Sequence, residues 1–185
     1  MLKIVIPKQE LFNNQTSEFI YIKEQTIQLE HSLVSISKWE SKWLKPYFSK
    51  NKKTREELID YIRCMTISQN VDPNVYYGLT EENYSLITKY IESPMTATVI
   101  NDDSFDNKNA KKNKTFITSE LIYYWMISLN IPIEFQKWHI NRLLTLIRVC
   151  QIKNAPDNKK RSKSEVAKYY SELNKKRRKE LNSSG

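Results

Sequence analysis

The spacing of apolar residues changes about a fifth of the way along the chain. Leu2, Ile4 and Ile6 recur at every second position and Pro7 ends the run, which predicts a strand with one face buried. Phe19-Ile20-Tyr21-Ile22 and Thr26-Ile27-Gln28-Leu29 form two further short runs. Lys23-Glu24-Gln25 between them is short enough for a hairpin turn, although it lacks the Asn-Gly pair that favours one. Residues 1–32 therefore predict a small antiparallel sheet of two or three strands. Such a sheet is marginal alone and must pack on the helices after it.

From Ser35 the spacing becomes helical. Ile36, Trp39, Glu40 and Trp43 follow a helical repeat, and Pro46 closes the segment. Thr54-Arg55-Glu56-Glu57 is a capping box, and Leu58, Ile59, Ile62 and Met65 are expected on the buried side of the helix it starts. Thr80 caps a third helix with Tyr84, Ile87 and Ile91 inward, stopped by Pro94. Thr118 or Ser119 starts a fourth, carrying Ile122, Tyr123, Trp125, Met126 and Leu129. Asn130-Ile131-Pro132 then turns the chain into a central helix over 136–150. There Ile140, Leu143, Leu144, Ile147 and Cys150 share a face, Trp138, Leu146 and Val149 widen it, and Lys137 and Arg148 mark the wet side. Residues 101–114 are almost devoid of apolar side chains and read as a mobile loop. A separate charged helix is expected over 164–181. The fold class is α+β: one mostly helical domain over 1–155, with the sheet in 1–32 and helices in 33–155, followed by a basic helical tail over 156–185.

Composition narrows the chemistry. The 185 residues include two glycines, Gly78 and Gly185. Phosphate-cradling loops, dinucleotide turns and nucleophile elbows need glycine where the backbone takes positive φ or approaches a ligand closely. No such loop can be written here. Cys64 and Cys150 read as buried free thiols in a reducing compartment, with a disulfide between them left open. His31 and His139 add too few ligands for a zinc site, and each reads as a core or interface histidine. Glu56, Glu57 and Asp60 are explained by the positive end of a helix dipole. No enzyme activity, cofactor or metal is expected. No stretch reaches the roughly 18 apolar residues of a membrane span, and the N-terminus does not read as a signal peptide, so the cytoplasm is the expected location.

The net charge of +9 is uneven. Residues 153–180 carry eleven Lys/Arg against four Asp/Glu, while 1–152 carry nineteen against seventeen. The body reads as nearly neutral and the tail as basic, which favours an anionic partner for the tail. Lys159, Lys160, Arg161, Lys163, Lys175, Lys176, Arg177, Arg178 and Lys179 are the candidate contacts. Nucleic acid is one such partner, with salt-sensitive binding; an acidic protein surface is the other. Trp39, Trp43, Tyr123, Trp125 and Trp138 are candidates for a protein-binding groove, since aromatic residues concentrate at interface hot spots. The plain alternative is that they fill the core.

Four stretches carry a resemblance: residues 29–40 (Leu-Glu-His-Ser-Leu-Val-Ser-Ile-Ser-Lys-Trp-Glu), 117–126 (Ile-Thr-Ser-Glu-Leu-Ile-Tyr-Tyr-Trp-Met), 136–150 (Gln-Lys-Trp-His-Ile-Asn-Arg-Leu-Leu-Thr-Leu-Ile-Arg-Val-Cys) and the ending 173–179 (Leu-Asn-Lys-Lys-Arg-Arg-Lys). Together they resemble small tailed-bacteriophage morphogenesis proteins of the tail assembly chaperone kind. That resemblance implies a non-enzymatic assembly role in the host cytoplasm. The partner would be the tape-measure protein or other tail proteins, held in a groove walled by helices 35–43, 117–129 and 134–150. Self-association is compatible with this role. Two alternatives differ in class: a minor structural part of the tail, baseplate or connector, which would stay in the virion, and a nucleic-acid-binding accessory protein acting through the basic tail.

Overall fold

A computed structural model describes residues 1–13, 17–100 and 116–154, with residues 167, 170–172 and 177 beyond them. The chain divides into two compact units, Met1–Gln151 and Ile152–Gly185. The first holds an α+β fold of antiparallel strands and helices. In the second, the described residues past 154 are helical and exposed. The rest of the expected 164–181 helix, and the loop over 101–114, lie outside the described residues.

Four strands, β1 (Leu2–Ile6), β2 (Gln9–Asn13), β3 (Glu18–Ile22) and β4 (Gln25–Leu29), form two antiparallel pairs, β1 with β4 and β2 with β3. One register runs through both pairs: Leu2 faces Leu29, Ile6 faces Gln25, Gln9 faces Ile22 and Asn13 faces Glu18. The two ladders are thus the halves of one long hairpin, interrupted at Pro7-Lys8 and opposite them at Lys23-Glu24. This corrects the sequence expectation. Lys23-Glu24-Gln25 is not a reversal, because β3 and β4 pair with different strands rather than with each other. Proline cannot donate to the ladder and fixes its φ, so it breaks the hairpin where it stands.

The break also changes the phase of the side chains. In β1 and β4 the inward set is Leu2, Ile4, Ile6, Ile27 and Leu29; in β2 and β3 it is Gln9, Leu11, Ile20 and Ile22. Along the first arm, even-numbered positions face the body before Pro7 and odd-numbered ones after it. The outer face of the distal half is left with Phe12, Phe19 and Tyr21, all more than half exposed, with the two phenylalanine rings 5.0 Å apart.

Five α-helices complete the fold: α1 (Leu33–Trp43), α2 (Arg55–Met65), α3 (Glu81–Glu92), α4 (Ser119–Ser128) and α5 (Ile140–Asn154). Short 3-10 helices cover Pro73–Gly78 and Ile133–Lys137. Capping explains where the helices begin. Ser32 with Ser35, Thr54 with Glu57 and Thr80 with Asn83 form reciprocal capping boxes, and the Thr118 hydroxyl accepts from the Leu121 amide; each side chain satisfies amides that the helix itself leaves free. Ile59, Ile62 and Met65 face the core as expected, but Leu58 is 44% exposed. Two apolar residues in succession cannot both lie on the inward line of a helix. The central helix is also shorter than its periodicity suggests. Its first turn is at Ile140, whose amide donates to the His31 carbonyl at 2.7 Å, and Trp138 stands in extended backbone before it.

The core gathers Ile4, Ile6, Ile22, Ile27 and Leu29 of the hairpin against Leu33, Ile36 and Trp39 of α1, Met65 of α2, Ile122 and Met126 of α4, and Leu143 and Ile147 of α5. The edge of β4 is closed by residues 66–68: Ile67 N–H donates to Gln28 O at 2.9 Å, and Gln28 N–H to Ser68 Oγ at 2.8 Å. Gly78 sits where the 3-10 turn touches the hairpin. A Cβ there would lie 2.3 Å from Gln9 Nε2 and 2.7 Å from Ile22 Cδ1, so the residue is glycine for close approach.

Candidate functional site

The five aromatic candidates do not share one environment. Trp39 and Trp43, one turn apart on α1, have ring centroids 6.3 Å apart in a stacked arrangement. Trp39 is 1% exposed, and its indole N–H donates to Glu57 O at 2.9 Å. Trp43 is half-buried and donates to Asp60 Oδ2 at 2.9 Å. Both indoles are therefore held in fixed orientations by α2. Tyr123 and Trp138 gather instead on the 3-10 turn before α5. The Tyr123 hydroxyl donates to Gln136 Oε1 at 2.9 Å, and Trp138 stacks on Phe135 at 4.2 Å with the Arg142 guanidinium 4.0 Å from its ring centroid. Trp125 is half-buried against the core.

An aromatic cluster extends inward from Trp39. Tyr47 meets Trp39 edge-on at 5.6 Å and Tyr61 at 4.3 Å, and Tyr61 continues to His31 and His139, whose rings lie 5.1 Å apart. His139 Nε2–H donates to Tyr90 O at 3.0 Å while Nδ1 accepts from the Asn141 amide at 3.3 Å. A backbone donor aimed at Nδ1 requires that nitrogen to be unprotonated, so the ring is neutral. His31 Nδ1 is hydrogen-bonded to the Tyr61 hydroxyl. Burial first, and the neighbouring His139 second, hold the His31 pKa down to about 3; burial likewise lowers that of His139. Both histidines belong to the core, as the sequence reading expected.

Glu40 joins distant segments. Its carboxylate accepts from Tyr47 N–H at 2.7 Å through Oε1 and from Ser119 N–H at 2.7 Å through Oε2. A carboxylate on the first amide of α4 also meets the positive end of that helix. Between these residues Leu44 closes α1 in the left-handed conformation at φ 53°, with its side chain 87% exposed.

Two concave features adjoin α1. One is an apolar cleft of about 330 Å³ lined by Val34, Lys38, Cys64, Met65, Ile67 and Lys137, among others. Cys64 and Cys150 are free thiols, and burial pushes Cys64 up to about 11, which keeps it protonated and unreactive at neutral pH. The other is a polar cavity of about 190 Å³ lined by Trp39, Lys45, Ser49, Lys52, Lys53 and Glu57, among others. Sequence reasoning missed both, since each is made by residues far apart in the chain.

Of the tail cations, Arg177 is exposed and helical, and Lys159, Lys160, Arg161, Lys163, Lys175, Lys176, Arg178 and Lys179 lie outside the described residues. Among the described residues no helix is long and apolar enough to cross a membrane.

No protein-family model, curated protein or solved structure matches the chain. Its functional reading rests on its own residues and surfaces.

Proposed function

We propose that this chain is a non-enzymatic bacteriophage morphogenesis protein, a tail assembly chaperone that shields apolar helical segments of the tape-measure protein. The observation that supports the reading is the apolar cleft beside α1. Val34, Met65 and Ile67 offer contact to inserted aliphatic side chains, and Lys38 and Lys137 supply cations among the lining residues. An amphipathic helix with acidic flanks, laying one or two anchors into such a cleft, is a familiar mode of recognition. The cleft lies off the aromatic groove walls suggested by the sequence, because Trp39 is committed to the core.

The test is co-purification from infected cells through a tag on this chain, compared with mass spectrometry of finished virions. Capture of the tape-measure protein with absence from virions supports the chaperone. Presence in virions at fixed copy number overturns it in favour of the structural alternative. That second reading has its own observation: the exposed Phe12, Phe19 and Tyr21 face of the hairpin, an apolar surface suited to a neighbouring subunit.

A further inference from the structure

The charge of the globular unit is concentrated in one place. Residues 38–55 contain seven Lys/Arg (Lys38, Lys42, Lys45, Lys50, Lys52, Lys53 and Arg55) and one acidic residue, Glu40. Glu40 faces inward, with one backbone amide on each of its oxygens. From α2, Asp60 takes Lys42 and Glu57 takes Lys45. Lys38, Lys50 and Lys52 are exposed at the surface.

Aromatic rings are interleaved with these cations. The Lys42 and Lys45 ammonium groups lie 5.9 and 5.8 Å from the Trp43 ring centroid. Trp43 is clamped by Asp60 at its N–H and backed by Trp39, yet remains half-buried rather than closed off. Lys45 then leads into the polar cavity that it shares with Lys52 and Lys53. Lys53 is pinned there: Nζ donates to Tyr47 O at 2.7 Å and lies 4.3 Å from the Tyr47 ring centroid. Burial lowers its pKa, offset in part by Glu57, so an arriving anion would favour its charged form. Glu57 is the carboxylate in the cavity, and its oxygens are taken by Lys45 and the Thr54 amide. Three lysines against one carboxylate leave the cavity cationic.

We propose that this surface binds single-stranded nucleic acid, with a backbone phosphate in the Lys45–Lys52–Lys53 cavity and a base stacked against Trp43. A fixed aromatic platform beside ammonium groups at phosphate-binding positions is the arrangement by which single strands are held without sequence preference. A duplex keeps its bases stacked inside and would gain only the phosphate contacts. The site is on the body, separate from the basic tail, and does not depend on the chaperone reading.

The experiment uses the full-length chain and a fluorescein-labelled oligo(dT), with binding followed by anisotropy between about 50 and 200 mM salt. Lys50→Gln/Lys52→Gln alters two exposed side chains and leaves the packed cluster intact. It should weaken binding roughly three- to ten-fold and reduce the slope of log affinity against log salt by about 1.4, the value for two lost phosphate contacts on a single strand. Tryptophan emission should be quenched on binding in the wild type and much less in Trp43→Phe. A companion variant with Lys175, Lys176, Arg177, Arg178 and Lys179 changed to Gln should retain the Trp43-dependent quenching. Unchanged affinity and slope in the lysine variant would overturn the proposal. So would loss of all binding with the tail variant, tighter binding of duplex, or equal competition by polyglutamate; the last would mark the surface as one for an acidic protein.

Discussion

Lowering the pH from 7 to 5 should destabilise the fold by an amount traceable to His31. The ring is buried beside Tyr61, Tyr47 and His139, and its folded pKa is about 3, against an ordinary value near 6.5 in the unfolded chain. The unfolded state therefore takes up a proton on falling through 6.5, and the folded state does so only near 3. The stabilisation is fully present above the unfolded value and is lost progressively as pH falls through this window, at about 1.4 kcal/mol per unit. Integrated from pH 7 to 5, the loss from His31 is about 2 kcal/mol. His139, lowered in the same direction, adds to it; Glu30, whose charge works the other way on His139, limits its share. Urea unfolding followed by tryptophan emission at several pH values measures the loss, and His31→Gln isolates it. The variant should be less stable than wild type at pH 7 because its contact with Tyr61 changes. The gap between the two proteins should then narrow by about 2 kcal/mol on going to pH 5. Parallel pH profiles would refute the argument, since carboxylates titrate alike in both proteins and only the missing imidazole can change the difference.

Glu40→Ala should cost about 3 kcal/mol in chemical denaturation, because it strands the Tyr47 and Ser119 amides and removes two charge-assisted hydrogen bonds; a loss below about 1 kcal/mol would show that water replaces the carboxylate. Gly78→Ala should destabilise by about 1–3 kcal/mol through overpacking against Gln9 and Ile22, visible as a lower Tm; an unchanged Tm would mean that the turn shifts without penalty. Leu44→Gly should stabilise by about 1 kcal/mol, since an exposed leucine at φ 53° is strained in a left-handed conformation that glycine adopts freely; no gain would show that the leucine side chain has packing to lose.

The helix starts are the most legible part of the sequence. Thr54 with Glu57, Thr80 and Thr118 are local signals, and each stands at the N-cap in the structure. The box formed by Ser32 and Ser35 is harder to read because serine replaces the usual Glu or Gln at its third position. The hairpin defeats local reading. Its strand β2, Gln9-Glu10-Leu11-Phe12-Asn13, has no β-branched residue to announce it, and the polar Lys23-Glu24-Gln25 imitates a turn although both strands continue past the interruption. Register is a property of two strands together and cannot be read from one. The basic surface over 38–55 escapes notice because charge averaged over 1–152 conceals a segment whose cations cluster and whose compensating acids lie on other elements. The aromatic residues stand out in the sequence, yet only folding decides that Trp39 is enclosed while Trp43, four residues on, keeps part of its surface.

The way α4 and α5 are attached has a consequence for how the molecule could be divided. Ser119 N–H is held by Glu40, Ile140 N–H by His31 O, His139 by Tyr90 O, and the Asn141 side chain by Ile91 O and Ser93 O at 3.0 and 2.8 Å. Each bond crosses from residues 116–154 to residues preceding the stretch 101–115, and none uses that stretch. Docking of the C-terminal helices is thus encoded in noncovalent complementarity rather than in chain continuity. A chain opened within 101–115 should yield two fragments that reassemble on mixing. Circular permutation with new termini there should preserve the same core, at a cost set mainly by the entropy of bringing two pieces together.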